Sequence, residues 1–86
     1  MEIKFSPQFL KQLHRQTPKI QQKFYERLEL WQHDPWHALL RVHTLHGRYH
    51  GFYSINITGD MRALYQIVEE NLVLFDSIGT HSQLYG

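Results

Sequence analysis

His81 and Tyr85 stand four residues apart in the last stretch of the chain, Ile78-Gly79-Thr80-His81-Ser82-Gln83-Leu84-Tyr85-Gly86. In one helical turn that spacing puts both side chains on the same side. An imidazole is the side chain best able to give or take a proton near neutral pH. A second pair lies mid-chain. Asp60 ends a turn, Thr58-Gly59-Asp60, and Arg62 opens the strand that follows. A carboxylate beside an arginine stays ionised and can orient or deprotonate a nearby group, while the guanidinium can hold a phosphate. Each feature has a plain alternative: a surface terminus for His81, local turn bonding for Asp60, an exposed edge cation for Arg62. His43, His46 and His50 follow a His-x2-His-x3-His pattern that invites a zinc reading. Gly47 and Gly51 interrupt it, there is no cysteine, and no carboxylate is close in sequence. Solvated loop histidines are the better account of His46 and His50, and no metal or other cofactor is expected.

The positioning elements must come from a short chain. Its 86 residues suit one domain, 1–86, with a modest core. No run approaches the ~18 apolar residues of a membrane helix, and Met1-Glu2-Ile3-Lys4 does not begin a signal peptide. The absence of cysteine excludes disulfide frameworks and thiol catalysis and fits a cytoplasmic protein. Net charge is only +1, but residues 35–68 carry Arg41, Arg48 and Arg62 against Asp60 alone, with four of the seven histidines. A cationic middle with few acids suits a polyanion, although on charge alone a chance fluctuation in so small a protein is the better account.

Glu2-Ile3-Lys4-Phe5 alternates as a short strand. Ser6-Pro7 and Thr17-Pro18 are helix starts, each an oxygen cap followed by a proline suited to the first turn. Phe9, Leu10 and Leu13 form the apolar stripe of the first helix. Ile20, Phe24, Leu28 and Trp31 form that of the second, which should end near Gln32 before Asp34-Pro35. The two helices are expected to be antiparallel neighbours. Trp36 to Gly47 is irregular. Then the period becomes two. Tyr49–Ile57 presents Tyr53, Ile55 and Ile57 on one side; Arg62–Val68 presents Ala63, Tyr65 and Ile67; a third strand runs Leu72–Ile78, where the chain breaks at Gly79. The expected architecture is α+β, with both helices on one face of a small antiparallel sheet in the order β-α-α-β-β-β, and the first strand at the edge. The open face then carries Asn56 and Arg62.

Three segments resemble the RelE/ParE superfamily of bacterial toxin–antitoxin systems, and within it the YafQ-like branch. They are His43-Thr44-Leu45-His46-Gly47, Ile57-Thr58-Gly59-Asp60-Met61-Arg62-Ala63-Leu64-Tyr65 and Gly79-Thr80-His81-Ser82-Gln83-Leu84-Tyr85-Gly86. The resemblance implies a RelE-like fold and a small metal-independent ribonuclease, an mRNA interferase that cuts messenger RNA on the translating 70S ribosome and is neutralised by an antitoxin. It implies catalytic roles for His43, Asp60, His81 and Tyr85, with Arg62 supported by the Arg-x-x-Tyr strand of related toxins. One position departs from the branch: Asn56 stands where a second histidine is expected, and an amide cannot shuttle a proton.

The expected chemistry is attack of an RNA 2′-OH on its own phosphate, with Asp60 or His43 as base and His81 as acid. Arg62 clamps the phosphate, Tyr85 stacks on a base or steadies the 2′-OH, and Asn56, Arg48 and Arg41 add RNA contacts. The alternative is a ParE-like toxin that inhibits DNA gyrase by binding, without cutting. The antitoxin is expected on the exposed edge strand and the groove around the helices.

Overall fold

Ser6 and Thr17 cap their helices as the sequence predicts: their side-chain oxygens accept from the Phe9 N–H at 3.0 Å and the Ile20 N–H at 3.2 Å. Such a cap stabilises by about 1 kcal/mol. The computed structural model describes residues 1–85; Gly86, the last residue of the third motif, lies outside the described residues. Strand β1 (Glu2–Phe5) leads into helix α1 (Pro7–His14) and helix α2 (Pro18–His33). Helix α2 stops at Asp34, whose extended backbone (φ −151°) is the geometry a residue before proline adopts.

A 3-10 turn (Ala38–Leu40) then leads to a two-residue strand β2 (His43–Thr44) and a second 3-10 turn (Gly47–Tyr49). Strands β3 (Phe52–Thr58), β4 (Met61–Glu69) and β5 (Leu72–Thr80) follow, and helix α3 (His81–Tyr85) comes last. The sheet order is β1-β5-β4-β3-β2. The meander pairs antiparallel, and β1 joins the outer side of β5 in parallel. The α+β class and the edge position of β1 are as expected, but the sheet is mixed rather than purely antiparallel and has five strands. Strand β2 falls in the stretch read as irregular, because two residues are too few to show a period. Tyr49 belongs to the turn before β3 rather than to the strand. Nor does Gly79 break β5: it pairs with Arg62 and the strand runs on to Thr80.

Helix α1 lies over β5 and α2 over β3. Between them and the sheet, Phe9, Phe24 and Phe75 gather with ring centroids 5.1–5.9 Å apart, joined by Trp31, Tyr65, Ile55, Ile57 and Ile78. Two expected core positions are outside it. Leu10 is 41% exposed because it falls one helical step past Phe9, and Ile67 is 53% exposed because β4 there extends beyond the helices. Among the described residues, no helix is long and apolar enough to cross a membrane.

Beyond Phe75, β5 loses β1 as a partner, and α1 takes over with side chains. Ser6 Oγ donates to the Asp76 carbonyl at 2.8 Å, Gln8 Nε2 donates to the same oxygen at 3.3 Å, and Gln12 Oε1 accepts from the Ile78 N–H at 2.9 Å. The Asp76–Ile78 stretch of β5 is thereby held in place just before Gly79, where the site begins.

Tyr65 lies in the core with its ring 5.2 Å from that of Tyr53 and edge-on to Trp31. Burial pushes its phenol above the ordinary value of 10.0, with Trp31 opposing and Tyr53 adding to the shift. The folded state therefore keeps this proton where the unfolded chain has lost it. The contribution is whole below about pH 10 and is lost as pH rises further. Above pH 10, the urea midpoint is expected to fall more steeply in the intact protein than in Tyr65→Phe.

Candidate active site

Residues directly opposite one another on neighbouring antiparallel strands project to the same face. On the face away from the helices, one such row is His43, Ser54, Leu64 and Ser77, and the next is Asn56, Arg62 and Gly79. The rows end at α3, which folds back over Gly79. A Cβ at Gly79 would stand 3.0 Å from Gln83 Oε1 and 3.3 Å from Gln83 Cβ, so glycine is what permits this close approach.

Helix α3 is short, and local bonds define its start. Gln83 N–H donates to Thr80 Oγ1 at 3.3 Å, and Gln83 Oε1 accepts from the Thr80 N–H at 2.8 Å. This is a reciprocal capping box, Thr-x-x-Gln. Asp60, across the Gly59 turn, accepts from the His81 N–H at 3.3 Å. Gly59 takes the positive φ (51°) that lets this turn close. A negative group at the first turn also meets the favourable end of the helix dipole. The contact made by Asp60 is thus with the His81 amide, not with the Arg62 guanidinium that its sequence position suggested.

The result is a cleft of about 360 Å³ lined by His43, Leu45, His46, Tyr49, Ser54, Arg62, His81 and Tyr85. Four predicted residues, His43, Arg62, His81 and Tyr85, meet there. His81 and Tyr85 pack ring to ring at 4.7 Å, which bears out the single helical turn. Asp60 borders the cleft through His81 without lining it. Asn56 shares a row with Arg62, and its Nδ2 donates to the Gly59 carbonyl at 3.1 Å, so its amide braces the turn. Arg48 reaches the site indirectly, its guanidinium 5.1 Å from the centroid of the Tyr49 ring. Arg41 is not brought to the cleft; it is exposed, with φ of 45° at the end of the Ala38–Leu40 turn. Among the described residues, no group of three His, Asp or Glu side chains is arranged to hold a metal ion.

Sequence reasoning missed Tyr49, Ser54 and Leu45 as lining residues and left His46 to solvent. Only tertiary contact marks Tyr49: its hydroxyl donates to the Leu84 carbonyl at 2.8 Å, and its ring stands edge-on to Tyr85 at 5.5 Å. It ties α3 to the loop before β3. Tyr49→Phe should cost about 0.5–1.5 kcal/mol locally. Faster amide exchange confined to residues 82–85, with the core unchanged, is the expected readout.

Two helices on one face of a five-stranded sheet, with the cleft on the other face, form a fold shared with solved toxins of the YafQ, YoeB/ParE and RelBE2 types. It matches the solved structure of YafQ from E. coli strain BL21(DE3), with a TM-score of 0.82 and 23% identity over 99% of this chain and 98% of that one. A chain of the E. coli DinJ–YafQ toxin–antitoxin complex matches with a TM-score of 0.74 and 25% identity, over 99% of this chain and 97% of that one. The RelBE2 toxin–antitoxin complex of Mycobacterium tuberculosis matches with 0.74 and 23%, over 93% and 96%. No curated protein sequence matches the chain. The family model described as "Bacterial toxin of type II toxin-antitoxin system, YafQ" matches residues 1–86, and the chain belongs to that family.

Proposed function

We propose that this toxin is a one-domain endoribonuclease that cuts messenger RNA in the A site of the 70S ribosome, in the cytoplasm, by 2′-OH transesterification. The observation that carries the reading is the convergence of two imidazoles and a guanidinium on one cleft. In the sheet order, Arg62 on β4 lies between β2, which carries His43, and the end of β5, which delivers His81. That is the disposition an in-line displacement calls for: base and acid on either side of a phosphate, and a cation on the phosphate itself. The nucleophile is internal to RNA, so the protein has only to move protons and neutralise charge.

Since Asp60 bonds the His81 amide and does not line the cleft, His43 is the better base and Asp60 a positioning residue. His81 donates the proton to the leaving 5′-oxygen, Arg62 holds the phosphate, and Tyr85 offers a ring for base stacking. His46 lines the same cleft, so the site holds a further imidazole even though Asn56 cannot carry a proton. The partner is a cognate antitoxin, as in the DinJ–YafQ and RelBE2 complexes.

Primer extension on messenger RNA, with and without ribosomes, tests this. New 5′ ends that require both the intact protein and ribosomes are expected. Growth arrest without any RNA ends would instead favour the toxin that binds gyrase and does not cut.

A further inference from the structure

Ser54 is the buried polar side chain of the cleft to which the chemistry above gives no task. It sits in the middle of β3, 2% exposed, and its Oγ has no hydrogen-bond partner among the described residues. It lines the cleft, with His43 beside it on β2 and Leu64 on β4. A buried hydroxyl left without a partner is uncommon in native proteins, and each one calls for an explanation.

The surroundings limit what that partner can be. The rest of the lining is ring and alkyl surface, from Leu45, Tyr49, Tyr85 and the imidazoles, with Arg62 as the cation. A phosphate belongs on Arg62, which offers charge and a planar fork of donors. A hydroxyl among ring faces suits a flat heteroaromatic group, stacked on its faces and bonded at its edge. We infer that Ser54 hydrogen-bonds the edge of the nucleobase next to the scissile phosphate and sets the base preference of the cut. The inference rests on the ribonuclease reading and adds to it a residue that reads sequence. Because the hydroxyl is closed off from solvent in the free protein, a base reaches it by displacing a neighbour.

The test maps cut sites at single-base resolution on ribosome-bound messages in which each position around the cut carries all four bases. The intact protein and Ser54→Ala are compared, with thermal melts of both. The intact protein is expected to favour one base at one position. In Ser54→Ala, cleavage at that base should fall about tenfold while the other bases lose less, which flattens the preference there and nowhere else. The melting temperature should not fall, since alanine removes an unsatisfied hydroxyl. An unchanged base profile, or a uniform fall at all sites together with a lower melting temperature, overturns the assignment. If the intact protein cuts no RNA, the ribonuclease reading itself fails and takes this inference with it.

Discussion

His81→Ala is expected to lower RNA cleavage by about 10²–10⁴-fold, the usual loss when a positioned acid or base is removed. The fold should survive. His81 is exposed on the first turn of α3, its bond to Asp60 is made by the backbone N–H, and alanine favours helix. The capping box of Thr80 and Gln83 is also untouched. Circular dichroism and antitoxin binding should therefore match the intact protein while new 5′ ends vanish from primer extension. His81→Gln keeps a hydrogen-bonding group but no proton to give, and it should be as inactive. Undiminished cutting by either variant would remove His81 from the mechanism.

Phe75→Ala is expected to cost about 3–5 kcal/mol, the range for deleting a fully buried aromatic side chain. Among the described residues, no other side chain meets so many rings. Its centroid lies 5.2–5.9 Å from those of Phe5, Phe9, Phe24, Trp31 and Tyr65, which tie β1, both main helices and β4 to β5. An 86-residue chain has on the order of 4–13 kcal/mol of total stability, so this one change removes a large share of it. Phe75→Leu, which keeps most of the volume, should lose far less. Urea midpoints of the two variants give the comparison, and a midpoint unchanged in Phe75→Ala would mean that the aromatic cluster is not what holds the layers together.

Much of this architecture could be read from local chemistry. Ser6-Pro7 and Thr17-Pro18 are caps that act within a turn, and Ile55, Ile57, Ala63 and Tyr65 alternate because one side of the sheet is covered. His81 and Tyr85 fell together because four residues is one turn of helix. The capping box Thr80-x-x-Gln83 is also present as a pattern and marks where that turn begins. What escaped has no local signature. Strand β2 exists because Ser54 and Tyr53 offer an edge to it, and Tyr49 joins the cleft through a bond to a residue 35 positions later. Leu10 and Ile67 are apolar and exposed, because a helical stripe has borders and a strand can outrun its cover. Counting charges did not separate Arg62, which faces the cleft, from Arg41, which does not. The carboxylate partner of Arg62 suggested by proximity in sequence was taken instead by the amide that begins α3.

The fringe of Ser6, Gln8 and Gln12 along the outer margin of β5 has a consequence for behaviour at high concentration. An unpaired margin of this kind is where a second molecule can extend a sheet and seed a fibril. Here the outward carbonyl of Asp76 and the outward amide of Ile78 are already occupied by the side chains of Ser6, Gln8 and Gln12. Self-templated growth along that border is blocked before it can start, by groups whose other task is to begin and continue a helix.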